Sequence, residues 1–181
     1  MIMPLDRPRC AWAQATPELR KYHDQEYGFP VKQPQACFER LVLEMFQAGL
    51  SWRTILAKRQ AFRRAFANFS PKKVAAFTSR DIQRLLADRN IIRNRLKIKA
   101  AVKNASAFLK LSGRPGGFGA FMRSLPLHDP DATLRAFRLQ FDFMGPKIVE
   151  EFLRSTGYWP VSHEPGCFLA QPHDLKLKYL S

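Results

Sequence analysis

Leu41-Val-Leu-Glu-Met-Phe-Gln-Ala-Gly-Leu-Ser-Trp52 is the stretch on which the reading of this chain turns. With Phe38, residues Leu41, Val42, Met45 and Phe46 fall at i, i+3, i+4, i+7 and i+8, the spacing of one apolar helix face. Glu44 lies off that stripe by roughly a third of a turn or more. Gly49 ends the helix, and a Leu-Ser-Trp tip follows. A carboxylate one turn back from such an end, with an indole just beyond, can wall a pocket. The plainer alternative leaves Glu44 in solvent and puts Leu50 and Trp52 in the core.

Working outward, helix signals recur and strand signals do not. Thr16-Pro17 reads as N-cap and first helical residue. That helix carries Leu19, Tyr22 and His23 and ends before Gly28. Residues 38–48 form the helix of the opening stretch. Ser51 or Thr54 starts the next segment, with Ile55, Leu56, Phe62, Phe66 and Phe69 apolar and Arg53, Lys58, Arg59, Arg63 and Arg64 on its other face. Short helices follow from Ser70-Pro71 through Phe77 and from Ser79 through Leu86. Ile98, Ala101, Val102, Ala105, Phe108 and Leu109 make a further stripe, with Lys97, Lys99 and Lys103 on the opposite face; such a run ordinarily marks a solvated face, a reading that its single sign weakens here. Residues 111–133 are rich in Gly and Pro and are expected to be irregular, broken by a short helix near residues 118–123. Residues 134–139 and 148–153 read as helices joined by Phe141-Asp-Phe-Met-Gly-Pro-Lys147. From residue 157 to 173 the chain should be irregular. No alternating strand or hairpin turn stands out. The fold class expected is all-α: one domain over residues 1–181, built of eight or so short helices.

Composition narrows the partners. The 181 residues suffice for one sizeable core or two small lobes sharing a cleft, and 46% are hydrophobic. No apolar run approaches the roughly 20 residues of a membrane span, and the first residues lack the apolar centre of a signal peptide. A soluble, cytoplasmic protein without a membrane partner is expected. Thirty Lys and Arg against 15 acidic residues leave a net charge of +15, a field that favours a polyanion, nucleic acid above all. The 15 Phe and 3 Trp add faces on which bases can stack. Three cysteines, an odd count, argue against a disulfide framework.

Two constellations carry chemistry. Phe-Met-Gly-Pro-Lys between two helices can present a helix N-terminus to one DNA phosphate, with Gly145 and Lys147 as the contacts. Cys10, His23, His163 and Cys167 supply the two thiolates and two imidazoles of a closed tetrahedral Zn²⁺ site, and His163-Glu-Pro-Gly-Cys167 has the spacing of a tight clip. The alternative is a buried Cys and a surface His at each end. A metal there would staple both irregular termini to one point.

Arg9-Cys-Ala-Trp12, Tyr22-His-Asp-Gln-Glu-Tyr-Gly28 and Glu44-x-x-Gln-Ala-Gly-Leu-Ser-Trp52 together resemble the DNA-3-methyladenine glycosylase I family, of the helix-hairpin-helix superfamily. Ile91-Ile-Arg-Asn-Arg95 with Lys97-Ile98, Phe141-x-Phe-x-Gly145 and His163-x3-Cys167 are similar to it as well. The matches run in order from Cys10 to Cys167. Departures are Tyr27 in place of the family's usual Trp, Ser162 where Asp is common, Lys147 where Thr is frequent, and a shortened segment from 121 to 140.

The resemblance implies two small helical lobes with a cleft between them and a zinc-stapled pair of termini. It implies a monomeric enzyme that hydrolyses the N-glycosidic bond of 3-methyladenine in double-stranded alkylated DNA and releases the free base. Glu44 and Tyr22 would hydrogen-bond the extruded base, Trp52 would stack on it, and Trp12 and Tyr27 would line the pocket. Cys10, His23, His163 and Cys167 would hold one structural Zn²⁺. Leu50, at the tip, is the candidate wedge into the duplex; the alternative for it is a core Leu. A lyase role for Lys147 is disfavoured, because no Asp lies between Gly145 and Cys167, and Glu150 and Glu151 follow the Lys too closely to assist it. The reading of a different class is a non-catalytic DNA-binding protein that retains the glycosylase fold.

Overall fold

The computed structural model describes residues 7–170, and among them there is no β-strand. The central element is α2 (Pro34–Gln47), which packs on α3 (Trp52–Ala65), α6 (Arg95–Ser112) and α9 (Pro146–Ser155). It starts four residues before the apolar stripe because Pro34 sits in its first turn, with Gln33 as an N-cap that offers no side-chain bond. Every residue from Cys37 to Phe46 is buried, so the expected single stripe is a helix enclosed on all sides. Leu43 and Glu44 are thus as hidden as Leu41 and Phe46. The alternative of a solvated Glu44 is overturned, and so is that of a core Leu50, which is 38% exposed.

Most of the other helices start where short polar side chains cap them; α7 and α9 start at Gly116 and Gly145 instead. Thr16 accepts from Leu19 N–H at the head of α1 (Pro17–Gln25), and Ser51, not Thr54, caps α3. Ser70 caps α4 (Pro71–Ala75), and Thr78 with Asp81 forms a capping box on α5 (Ser79–Ala87). Asn94 caps α6, and α7 (Gly117–Arg123) interrupts the Gly-rich stretch as expected. Asp129 caps α8 (Pro130–Gln140), which begins four residues before the expected start, again through a Pro in the first turn. A 3-10 turn, Ala11–Gln14, precedes α1. None of the described helices is long and apolar enough to cross a membrane.

Lys97 corrects the expected solvated face of α6. It is 5% exposed, and its Nζ donates to the carbonyls of Phe46 (3.0 Å) and Ala48 (2.6 Å). Helix ends leave carbonyls without partners at the negative pole of the dipole, and an ammonium satisfies both needs. Only Lys99 and Lys103 of that trio are exposed. Next to this clamp, Gly49 takes φ +85°, a conformation cheap only for glycine. Gln47 Nε2 then donates to the Leu50 carbonyl at 2.7 Å and closes the tip.

The basic face of α3 is also less free than its charges suggest. Arg59 and Arg63 both grip Glu39, and Arg59 and Arg40 both grip Glu26. This network ties α1, α2 and α3 together behind the cavity described next.

Candidate active site

Four α-helices, a 3-10 turn and two irregular segments converge on a cavity of about 550 Å³. The 3-10 turn brings Trp12, α1 brings Tyr22, and the turn after α1 brings Tyr27. Glu44 and the end of α2 form the floor and one rim, and Trp52 opens α3 beside them. On the far wall α9 contributes Lys147, Ile148 and Glu151, and Ser162 completes it. All five residues expected to bind a base from the sequence therefore share one cavity.

Its character is aromatic and acidic. The Trp52 and Tyr22 rings lie 5.0 Å apart, Tyr22 and Tyr27 5.7 Å, and Trp12 meets Tyr27 edge-on at 5.7 Å. Trp12 remains 37% exposed at the mouth, whereas Tyr22 is buried. Burial pushes the Glu44 carboxyl up to about 7; the Arg40 charge and a Ser155 hydrogen bond oppose that rise, and Glu151 adds to it. Burial likewise lifts Tyr27 to about 12 and Tyr22 well above the ordinary phenol value. Glu151 is raised too, chiefly by burial. A space walled by π-faces and carboxylates suits a flat cation.

Sequence reasoning gave Gln47, Glu151 and Ser162 no place here. Glu151 was legible in principle, since 147, 148 and 151 fall on one face of α9 at i, i+1 and i+4. Glu150 turns away and pairs with Lys147 (2.8 Å) and Arg154 (3.0 Å). Among the described residues Glu151 forms no ion pair.

The hairpin before α9 is held by side chains. Asn104 accepts from Asp142 N–H (2.8 Å) and donates to the Asp142 carbonyl (3.0 Å), and Arg138 donates to the Met144 carbonyl (3.0 Å). Phe143 takes φ +60° within this turn. Gly145 is the N-cap of α9 and provides no side-chain bond, so among the described residues the first amides of the helix have no side-chain cap. Lys147 is exposed at the head of the same helix.

Cys10, His23, His163 and Cys167 converge from both ends of the described chain, their donor atoms all within 4.8 Å of one another. Cys10 Sγ lies 3.5 Å from His163 Nδ1, and Cys167 Sγ lies 3.4 Å from His23 Nε2 and 3.9 Å from His163 Nδ1. These separations match the edges of a tetrahedron with Zn–S near 2.3 Å and Zn–N near 2.0–2.1 Å. His23 Nδ1 is held at 2.8 Å by Asp24, which is itself gripped by Arg9, leaving Nε2 for the cluster. Glu164 N–H points at Cys10 Sγ (3.2 Å) and Leu169 N–H at Cys167 Sγ (3.5 Å), as amides do around thiolates. The donor set thus fits a dication.

All the regular elements among the described residues are helices, and their arrangement around the aromatic cavity matches that of solved 3-methyladenine DNA glycosylases. A crystal structure of 3-methyladenine DNA glycosylase I superposes with a TM-score of 0.81 at 34% identity, covering 91% of this chain and all of that one. A structure of the Staphylococcus aureus enzyme, solved for its recognition of 3-methyladenine, gives 0.78 at 33% identity over 92% of this chain and 98% of that one. In sequence, residues 12–137 match the methyladenine glycosylase family. DNA-3-methyladenine glycosylase 1 of Escherichia coli (strain K12) is 36% identical over 178 residues, 88% of this chain and 95% of the relative. This chain belongs to the methyladenine glycosylase family.

Proposed function

We propose that the protein is a monofunctional base-excision repair glycosylase that hydrolyses the N-glycosidic bond of 3-methyladenine in double-stranded alkylated DNA and releases the free base. The observation that carries this reading is Glu44, a buried carboxylate at the floor of a cavity walled by Trp12, Tyr22, Tyr27 and Trp52. Methylation at N3 makes adenine cationic, so the electron pair of the C1′–N bond is already drawn toward the base. The lesion pairs poorly, which lowers the cost of taking it out of the stack. Glu44 would accept from the exocyclic amine, Tyr22 would bond the base edge, and Trp52 would stack on its face. Water then adds to C1′ as the base departs.

Around this pocket the reading assigns the DNA contacts. Leu50, exposed at the Gly49 turn, would fill the space the base vacates. Gly145 and Lys147, at the uncapped head of α9, would hold a phosphate in a helix-hairpin-helix contact. We read residues 1–181 as one domain of two helical lobes meeting at the cavity, monomeric and cytoplasmic. Cys10, His23, His163 and Cys167 would hold one structural Zn²⁺, which would tie the two ends of the chain together.

The decisive experiment is release of 3-methyladenine from methylated DNA by the purified protein, followed by chromatography of the free base. Binding to DNA without release would return the non-catalytic alternative.

Two further outcomes follow from α9. The Lys147 side chain is 86% exposed and ion-paired to Glu150, without the apolar burial that activates an amine nucleophile. Borohydride trapping on alkylated or abasic DNA is expected to give no adduct; an adduct lost in Lys147→Ala would make the protein a lyase. Glu151 adds a second carboxylate facing the cationic base, so Glu151→Gln should slow 3-methyladenine release several-fold while leaving DNA affinity unchanged. Equal rates for the two proteins would exclude Glu151 from recognition.

A further inference from the structure

We propose that Arg40 is a positioning residue of the base pocket: it fixes the Tyr22 hydroxyl as a hydrogen-bond donor to the base and sets a positive charge behind Glu44. The inference rests on the reading of the cavity as the 3-methyladenine site. Arg40 does not line the cavity. It is 4% exposed, in the middle of α2, with Nη1 donating to Tyr22 Oη at 2.7 Å and Nη2 to Glu26 Oε2 at 3.0 Å.

A guanidinium has donors only. Tyr22 Oη must therefore accept from Arg40, and its own hydrogen is left to point elsewhere. Tyr22 is a wall of the cavity, so that hydrogen is available to a base within it. An adenine methylated at N3 keeps ring nitrogens that accept and an exocyclic amine that donates. Tyr22 as donor and Glu44 as acceptor match those two edges. Without Arg40 the phenol can turn either way, and half of that match is lost.

The second part concerns Glu44. Arg40 and Glu44 are four residues apart on one helix, in reach of each other. Besides burial, the groups acting on Glu44 are Arg40 from its own helix and Ser155 and Glu151 from α9; Glu44 in turn helps raise the phenols of Tyr22 on α1 and Tyr27 in the turn after it. Arg40 is the cation among them, and it opposes the upward push of burial on the carboxyl. Removing it leaves an acid that stays protonated to higher pH and accepts less well from an amine.

The fold can bear the loss. Glu26 keeps Arg59 on its other carboxylate oxygen at 2.8 Å. The test is titration of free 3-methyladenine by calorimetry from about pH 5 to 9, spanning the carboxyl transition. Wild-type affinity should rise with pH and level off above about 7, the value of Glu44. Arg40→Met should bind about tenfold more weakly at neutral pH, the worth of one hydrogen bond to a charged group. Its plateau should move to higher pH. Arg40→Lys, which retains the charge and loses the fork, should keep the wild-type midpoint at reduced affinity, and it carries the Tyr22 argument should Arg40→Met not fold. Tyr22→Phe should cost less in Arg40→Met than in the wild type, because the two act through one bond. Arg40 variants with wild-type affinity and midpoint, or costs that simply add, would overturn the inference alone. A wild-type protein that binds no 3-methyladenine at any pH would overturn the reading of the site together with it.

Discussion

Glu44→Gln is expected to lose about 100-fold or more in 3-methyladenine release and, at the same time, to become more stable at pH above neutral. The loss follows from polarity. A carboxylate offers acceptors alone, whereas an amide turns a donor toward the amine of the base or leaves that amine with one weaker partner. A charge-assisted bond in a desolvated site is worth about 1.5–3 kcal/mol, and the unmet amine adds a desolvation cost of similar size. The gain in stability follows from burial. The Glu44 carboxyl titrates near 7 in the folded protein, against about 4.3 for an unfolded glutamate. The fold therefore prefers the protonated acid, and stability present below about pH 4 is progressively lost as pH rises toward 7. Above that the penalty is complete, on the order of 3 kcal/mol. Gln carries no such charge. Thermal melts between acid and mildly alkaline pH should show a downward trend in the wild type that is flattened in Glu44→Gln. Retained release activity would remove Glu44 from the mechanism, and parallel melting trends would show that its burial costs nothing.

That trade explains why part of the site was legible in sequence and part was not. Periodicity located α2 and its Gly49 end, because apolar spacing and a helix-stopping glycine are local signals. It misjudged the surroundings of α2. A stripe predicts one buried face, but α3, α6 and α9 enclose the helix, and only tertiary packing decides that. Lys97 was misread for the same reason. Its neighbours Lys99 and Lys103 are solvated, and nothing local distinguishes a lysine that reaches the carbonyls of Phe46 and Ala48, some fifty positions away. Arg40 likewise reads as one more charge until Tyr22 and Glu26 are seen beside it. The earlier starts of α2 and α8 were legible: Pro34 and Asp129-Pro130 carry start signals that their Pro-rich flanks obscured. The count of 30 Lys and Arg likewise overstates the free cations, since Arg40, Arg59 and Arg63 pair with Glu26 and Glu39, acids that the net charge of +15 already subtracts. The Cys and His set is the opposite case. Residues 10, 23, 163 and 167 have suitable chemistry but no spacing that requires them to meet, and the fold brings their donor atoms together.

Removing the Zn²⁺ proposed for that set is expected to lower thermal stability and 3-methyladenine affinity together. Elemental analysis of dialysed protein should give one zinc per chain, and Cys167→Ser or prolonged chelation should release it. The first effect is anchorage. The segment from Gly157 to Ala170 has no helix, and among the described residues its ties to the start of the chain include the cluster, the Phe168 N–H to Pro8 carbonyl bond, the Glu164 contact with Ala11 and the Arg7 and Arg9 guanidinium groups over the Phe168 ring. Loss of a structural ligand worth several kcal/mol lowers Tm by roughly 5–15 °C in a domain of this size. The core of α2 to α9 does not depend on the cluster, so helical circular dichroism should survive at low temperature. The second effect is specific to the pocket. The Trp12 ring packs on His23 at 5.2 Å, and Tyr27 meets His163 at 6.4 Å. Two of the four aromatic walls therefore rest on imidazoles that the metal would immobilise. Freed of it, Trp12 and Tyr27 lose the fixed orientation that a base can stack against, and part of the binding energy goes into ordering them. Intact protein with no bound metal, or a Cys167→Ser variant that melts and binds the base like the wild type, would rule out the zinc staple and its support of the pocket.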